Sequence, residues 1–277
     1  MTSETPLVQD GFHAWSVPAS RQPLAQEPRL GTPEVADVER RAVDWEIVQL
    51  DTPGWRRLTM PLGRIFGDVE IPLLRRLAAY LEDFDQMYRR SGLAAALEGP
   101  YVVRIFKRTK DFCTYAACIG AANAQSLYNP RTQEIGLWFD QEFVGLPWLE
   151  NIFAHEMTHA WMDLGFRRTG PLWFAEGMAE YFASFQWDAD VPVPGQVKDH
   201  LVRLARQERM PLARLIQMPR DEMYGPEWPR LYALSWSVVH YLQTKVPELV
   251  GRLLRGEGNI PPPEALDRAW WTYVEGL

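Results

Sequence analysis

The segment from Trp148 to Leu164 runs without proline or glycine and carries His155-Glu156-Met157-Thr158-His159 at its centre. Residues four apart on an α-helix stand one above the other on the same face, so both imidazoles can present ring nitrogens to a single ion. Asn151-Ile152-Phe153-Ala154 leads into the motif and Ala160-Trp161-Met162 leads out, which predicts one continuous, largely buried helix. Glu156 lies beside the pair without being a ligand, where its carboxylate can take a proton from a water polarised by zinc. Without a metal, the same residues are two satisfied core or surface histidines and a solvated glutamate.

A hydrolytic zinc site keeps three protein ligands and one open position, so another His, Asp or Glu is expected downstream. Glu176 is the candidate. It follows His159 with sixteen residues between, inside Gly170-Pro171-Leu172-Trp173-Phe174-Ala175-Glu176-Gly177-Met178-Ala179-Glu180-Tyr181-Phe182. Gly170 and Pro171 break the chain and permit a second helix, which can return antiparallel to the first. A carboxylate flanked by Trp173, Phe174, Met178 and Phe182 needs a partner if it is buried, and a metal serves best. Glu180, one turn further, either accepts the outer N–H of a zinc-bound imidazole, that of His155, or is an exposed helical glutamate.

These residues, HEMTH followed by WFAEGMAEYF, resemble the gluzincin zinc peptidases of the peptidase MA-like group, which includes the thermolysin and aminopeptidase N types. In that group HExxH supplies two ligands and a glutamate on the next helix supplies the third. The match at Glu176-Gly177, Ala179 and Tyr181 implies the ligand role for Glu176 and the imidazole-orienting role for Glu180. It departs at Ala175, where several of these families have asparagine.

Residues 43–277 are similar to poorly characterised bacterial peptidase MA-like domains. The resemblance implies an α+β, thermolysin-like zincin catalytic domain with a small N-terminal mixed sheet and a mainly helical C-terminal half. Residues 43–147 would form the sheet-bearing lobe and 148–277 the helical lobe. It also implies one Zn²⁺ per chain and a peptide or protein substrate. In gluzincins an edge strand just before the HExxH helix lines the cleft and pairs with extended peptide, and a hairpin of residues 124–128 and 134–139 stands in the matching place. A plain structural hairpin is the other reading.

Tyr232 is similar in placement to the tyrosine of the Y-x-K-G helix in aminopeptidase N-like enzymes, with Leu234 and Ser235 in place of Lys and Gly. It is an oxyanion donor or a core tyrosine. His240, eight residues on, is a second candidate donor or a packed histidine. No Gly-x-Met-Glu-Asn-like element precedes the motif to hold a free amino terminus, which favours an endopeptidase over an aminopeptidase.

Elsewhere the chain is less specific. With 36 acidic against 29 basic side chains, a formal charge of -7 and no basic run, nucleic acid is not an expected partner. No stretch reaches the roughly eighteen apolar residues of a membrane span, and Met1-Thr2-Ser3-Glu4-Thr5-Pro6 lacks the features of a signal peptide, so a cytoplasmic enzyme is expected. Cys113 and Cys118 read as ordinary buried thiols rather than a disulfide or a metal pair. Residues 1–42, with Pro at 6, 18, 23, 28 and 33, read as an extended or partly disordered arm.

Alternation predicts strands over 43–50, 101–106, 124–128 and 134–139, and helical spacing predicts a long amphipathic helix over 71–90. Trp270 and Trp271 read as packing. Two other functions keep the same ligands. One is a zinc hydrolase acting on a different amide or ester, and the other is a binding or scaffold protein whose metal site is structural.

Overall fold

A computed structural model of the chain describes residues 13–16, 45–93, 99–122, 124–167, 170–257 and 261–277. The architecture is mixed α+β, with a mixed sheet in the N-terminal part and a helical C-terminal half. Seven strands form the sheet: β1 (His13–Ser16), β2 (Glu46–Gln49), β3 (Arg56–Met60), β4 (Gly63–Gly67), β5 (Tyr101–Phe106), β6 (Ala124–Asn129) and β7 (Glu134–Trp138). Their order is β1-β6-β7-β5-β4-β3-β2, parallel only where β5 meets β4 and β7.

Side chains alternate across the sheet, as the pleat requires. Val103, Ile105, Ile135 and Leu137 face the main core, while Phe106 and Trp138 join a second apolar cluster with Phe112, Ala116 and Leu127. Helix α1 (Ile71–Arg90) packs on the main-core side, with Leu74, Leu77, Leu81, Phe84 and Tyr88 buried along one stripe. Pro72 falls in its first turn, where a missing N–H costs nothing. Helix α2 (Thr109–Cys118) covers the second cluster with Phe112 and Ala116.

Helices α3 (Leu146–Phe166) and α4 (Leu172–Ala183) carry the motif residues and are buried nearly all round. Apolar residues therefore occur on every face of both, as expected of helices at the centre of a domain, and the motif's histidines and glutamates are buried among them. A short hairpin, β8 (Gln186–Asp188) and β9 (Val191–Val193), leads to α5 (Asp199–Ala205), α6 (Leu212–Ile216) and α7 (Arg220–Met223). The long α8 (Trp228–Lys245) packs on α4, followed by α9 (Pro247–Arg255) and α10 (Pro263–Gly276). Gly177 permits the close α4–α8 approach: a Cβ there would collide with the Ser235 carbonyl oxygen and stand 2.7 Å from Val239 Cγ2.

Several expectations need correction. Cys113 and Cys118 are exposed on α2, not buried. The predicted strand over 43–50 is shorter, spanning Glu46–Gln49, and residues 43 and 44 lie outside the described residues. The hairpin strand β6 is not the sheet edge, because residues 13–16 pair with it antiparallel. Residues 1–12 and 17–42 of the expected arm lie outside the described residues. Trp270 and Trp271 are buried, as expected of packing residues. No helix among the described residues is long and apolar enough to cross a membrane.

Candidate metal centre

Three tyrosine hydroxyls fix α3 against its neighbours. From α1, Tyr80 donates to Glu150 Oε1 at 2.5 Å and Tyr88 Oη lies 3.2 Å from the Ala154 carbonyl oxygen and 3.1 Å from Thr158 Oγ1. From β6, Tyr128 donates to Asp163 Oδ2 at 2.6 Å. These bonds flank the motif on both sides, so the helix that presents it is held by polar contacts as well as by packing.

His155 and His159 fall on one face of α3, and Glu176 reaches the same point from α4. His155 Nε2 lies 3.2 Å from His159 Nε2 and 3.3 Å from Glu176 Oε2, and His159 Nε2 lies 3.5 Å from that same oxygen. Donors about 2.0–2.1 Å from a tetrahedral ion stand about 3.3–3.4 Å from one another, so this triangle has the size that zinc requires. All three side chains are buried, and among the described residues this trio alone brings three such donor atoms within 4.8 Å of each other. Two imidazoles and a carboxylate suit zinc better than calcium or magnesium, which prefer all-oxygen sets.

The surroundings tune these groups. Glu180 is only 7 % exposed and its Oε1 lies 3.2 Å from His155 Nδ1, the ring nitrogen turned away from the triangle. With a metal on Nε2, that contact would hold the remaining ring proton on Nδ1. Burial alone would lower the basicity of His155, but the carboxylates of Glu176 and Glu180, with Glu156, outweigh it and raise the imidazole to about 10.

Glu156 is fully buried and takes a 2.6 Å hydrogen bond from Ser126 Oγ on β6. Burial raises its carboxyl to about 8, against the lowering influence of His155, Ser126 and the Tyr128 backbone. A carboxylate that exchanges its proton near neutrality is suited to acid–base work.

Tyrosines line the Glu176 side. The Tyr232 ring stacks on His155 with centroids 5.9 Å apart and planes at 6°, and it also contacts Tyr224 and Trp228 edge-on. Burial first, then the Glu176 carboxylate, keeps its phenol protonated well beyond the ordinary range. Tyr224, just after α7, donates to Glu176 Oε1 at 2.7 Å. His240 stands differently: its Nε2 is 2.9 Å from the Gly195 carbonyl oxygen and its Nδ1 2.7 Å from Tyr273 Oη. Both ring nitrogens are therefore committed to packing partners, and the ring serves to tie α8 to α10.

Tyr224 and Ser126 are site residues that the sequence reading missed. Tyr224 sits in Glu222-Met223-Tyr224-Gly225-Pro226, a break between helices with no periodic signal. Ser126 is a small polar residue in a strand otherwise read for its hydrophobic alternation. No family model matches the chain, and no curated protein matches it in sequence.

Proposed function

We propose that the chain is a zinc-dependent metallopeptidase of gluzincin type, its domain thermolysin-like, with His155, His159 and Glu176 holding one Zn²⁺. The observation that carries this reading is the buried donor triangle with edges of 3.2, 3.3 and 3.5 Å, beside a fully buried Glu156. Structural zinc sites close all four positions with protein ligands, whereas three ligands and a neighbouring carboxylate are the hydrolytic arrangement. Bound there, the ion would supply Lewis acidity and acidify the attacking water.

The protein's own groups divide the remaining work. Glu156 would accept the proton of the attacking water and return it to the leaving amine, with Ser126 holding its Oε1 in place. Glu180 keeps His155 in one tautomer and orientation. Tyr232, held protonated beside the triangle, is a hydrogen-bond donor at any working pH, which the developing oxyanion needs. An endopeptidase acting on extended peptides is the favoured form.

The test combines elemental analysis of protein purified without chelators with a peptide-library assay on wild type and Glu156→Gln. One zinc per chain in both proteins, with turnover in wild type only, is the expected result. Turnover that survives Glu156→Gln removes the general-base assignment. Zinc without peptide turnover in wild type shifts the weight to a hydrolase of another amide or ester.

A further inference from the structure

Strand β6 borders the reacting carboxylate. Ser126 Oγ bonds Glu156, and the Tyr128 backbone N–H serves the same side chain. On one side β6 pairs with β7 through Leu127, Tyr128 and Asn129. On the other it pairs antiparallel with residues 13–16, in the register His13↔Tyr128, Ala14↔Leu127 and Ser16↔Ala124. Three steps along β6 thus match two along β1, so the ladder is irregular between Leu127 and Ala124, the stretch that holds the residue bonding Glu156.

Without β1, the outer side of β6 would be a bare sheet edge with unpaired N–H and C=O groups, a template for any extended chain. A peptide brought beside Glu156 by such pairing needs the same backbone positions, 124–128, that residues 13–16 use. The two strands cannot share the edge. β1 is four residues long and its ladder is interrupted by this irregularity, so it is a short and displaceable partner.

We propose that residues 13–16 are the resident occupant of the outer edge of β6 and act as an internal competitor for any extended peptide that would pair there. The proposal rests on the peptidase reading for what the incoming peptide is, but not for the occupancy itself. An attached segment competes at an effective concentration on the order of millimolar, so free peptide binds weakly until the segment is released.

The test uses the full chain with Ala14→Pro and Trp15→Pro together, which removes the ladder donor whichever of these two adjacent N–H groups faces β6. Hydrogen exchange of the β6 amides is expected to accelerate while that of β5 stays unchanged. A fluorescent peptide of residues 11–18 is expected to bind the variant at least about tenfold more tightly than wild type. A second variant, Ser16→Cys with Ala124→Cys on a Cys113→Ser, Cys118→Ser background, locks the segment when oxidised. It is expected to lose the probe peptide and regain it on reduction.

Unchanged exchange in β6, or equal probe affinity in all forms, overturns the proposal. Altered exchange and affinity with no turnover of unfolded casein in any form leaves the occupancy standing and removes the peptidase reading. Turnover at equal KM in wild type and proline variant, with unchanged exchange, does the reverse.

Discussion

Tyr224 donates its phenolic hydrogen to Glu176 Oε1 at 2.7 Å, while the other oxygen, Oε2, is the one turned to His155 and His159. A carboxylate held in this way would ligate an ion through one oxygen and leave room for water. Tyr224→Phe is expected to weaken zinc binding about 10–100-fold, measured by competition with a chromophoric chelator. Cobalt substituted for zinc should show a changed visible spectrum in the variant if the second oxygen swings in. Unaltered affinity and spectrum would mean that the bond does not position the ligand.

The three proposed ligands and the proposed general base should separate cleanly by substitution. His159→Ala removes one of three donors and should bring bound zinc close to zero by elemental analysis, whereas Glu156→Gln should retain it in full. Hydrolysis by Glu156→Gln should fall by about 10²–10⁴-fold. Full zinc in His159→Ala contradicts the ligand set.

Zinc uptake should release protons. His155 is raised to about 10 and Glu156 to about 8, so near neutrality both carry protons that a bound cation would displace. Apparent zinc affinity should therefore rise with pH between 6 and 8, by about tenfold per pH unit for each proton released. Calorimetry in two buffers of different ionisation enthalpy counts those protons, and a count of zero would remove the protonated-site argument.

His240 provides a separate pH signal. Burial lowers its basicity, with the Gly195 carbonyl acting in the opposite direction, so the folded protein favours the neutral ring. As pH falls through about 6.5 the unfolded imidazole takes a proton that the folded one still refuses, and the native state loses stability over that range. The loss stops below the folded pKa. Urea unfolding of wild type should weaken between pH 7 and 5 by more than that of His240→Gln; equal slopes would count against this account.

Gly177 is required by the α4–α8 contact rather than by metal chemistry. A methyl group there meets the Val239 side chain and the Ser235 backbone, and the backbone cannot yield without moving α8. Gly177→Ala is expected to destabilise the protein by about 1–3 kcal/mol in chemical denaturation. A neutral result would show that the helices can separate at low cost.

Much of the fold was legible from local pattern. The helix expected over 71–90 and the strand over 101–106 coincide with α1 and β5, since each has a clear 3.6- or two-residue period of buried side chains. Strands β3 and β4 went unread, because Arg56–Met60 and Gly63–Gly67 are short and mix arginine and glycine with their apolar residues. The exposure of Cys113 and Cys118 escaped because α2 presents them away from the cluster that Phe112 and Ala116 bury, a matter of which sheet face the helix covers.

By itself, the sequence determined that His155 and His159 share a face, that Glu156 stands beside them, and that Glu176 and Glu180 lie one turn apart on the next helix. Helical geometry makes those relations local, so they hold whatever the rest of the chain does. Only the tertiary structure decided that Glu176 closes the triangle, that Tyr224 and Ser126 hold the two acids, that His240 is committed to Gly195 and Tyr273, and that residues 13–16 lie along β6. Each of those contacts joins segments far apart in the chain, and their meeting depends on how whole helices and strands pack, which no local period encodes.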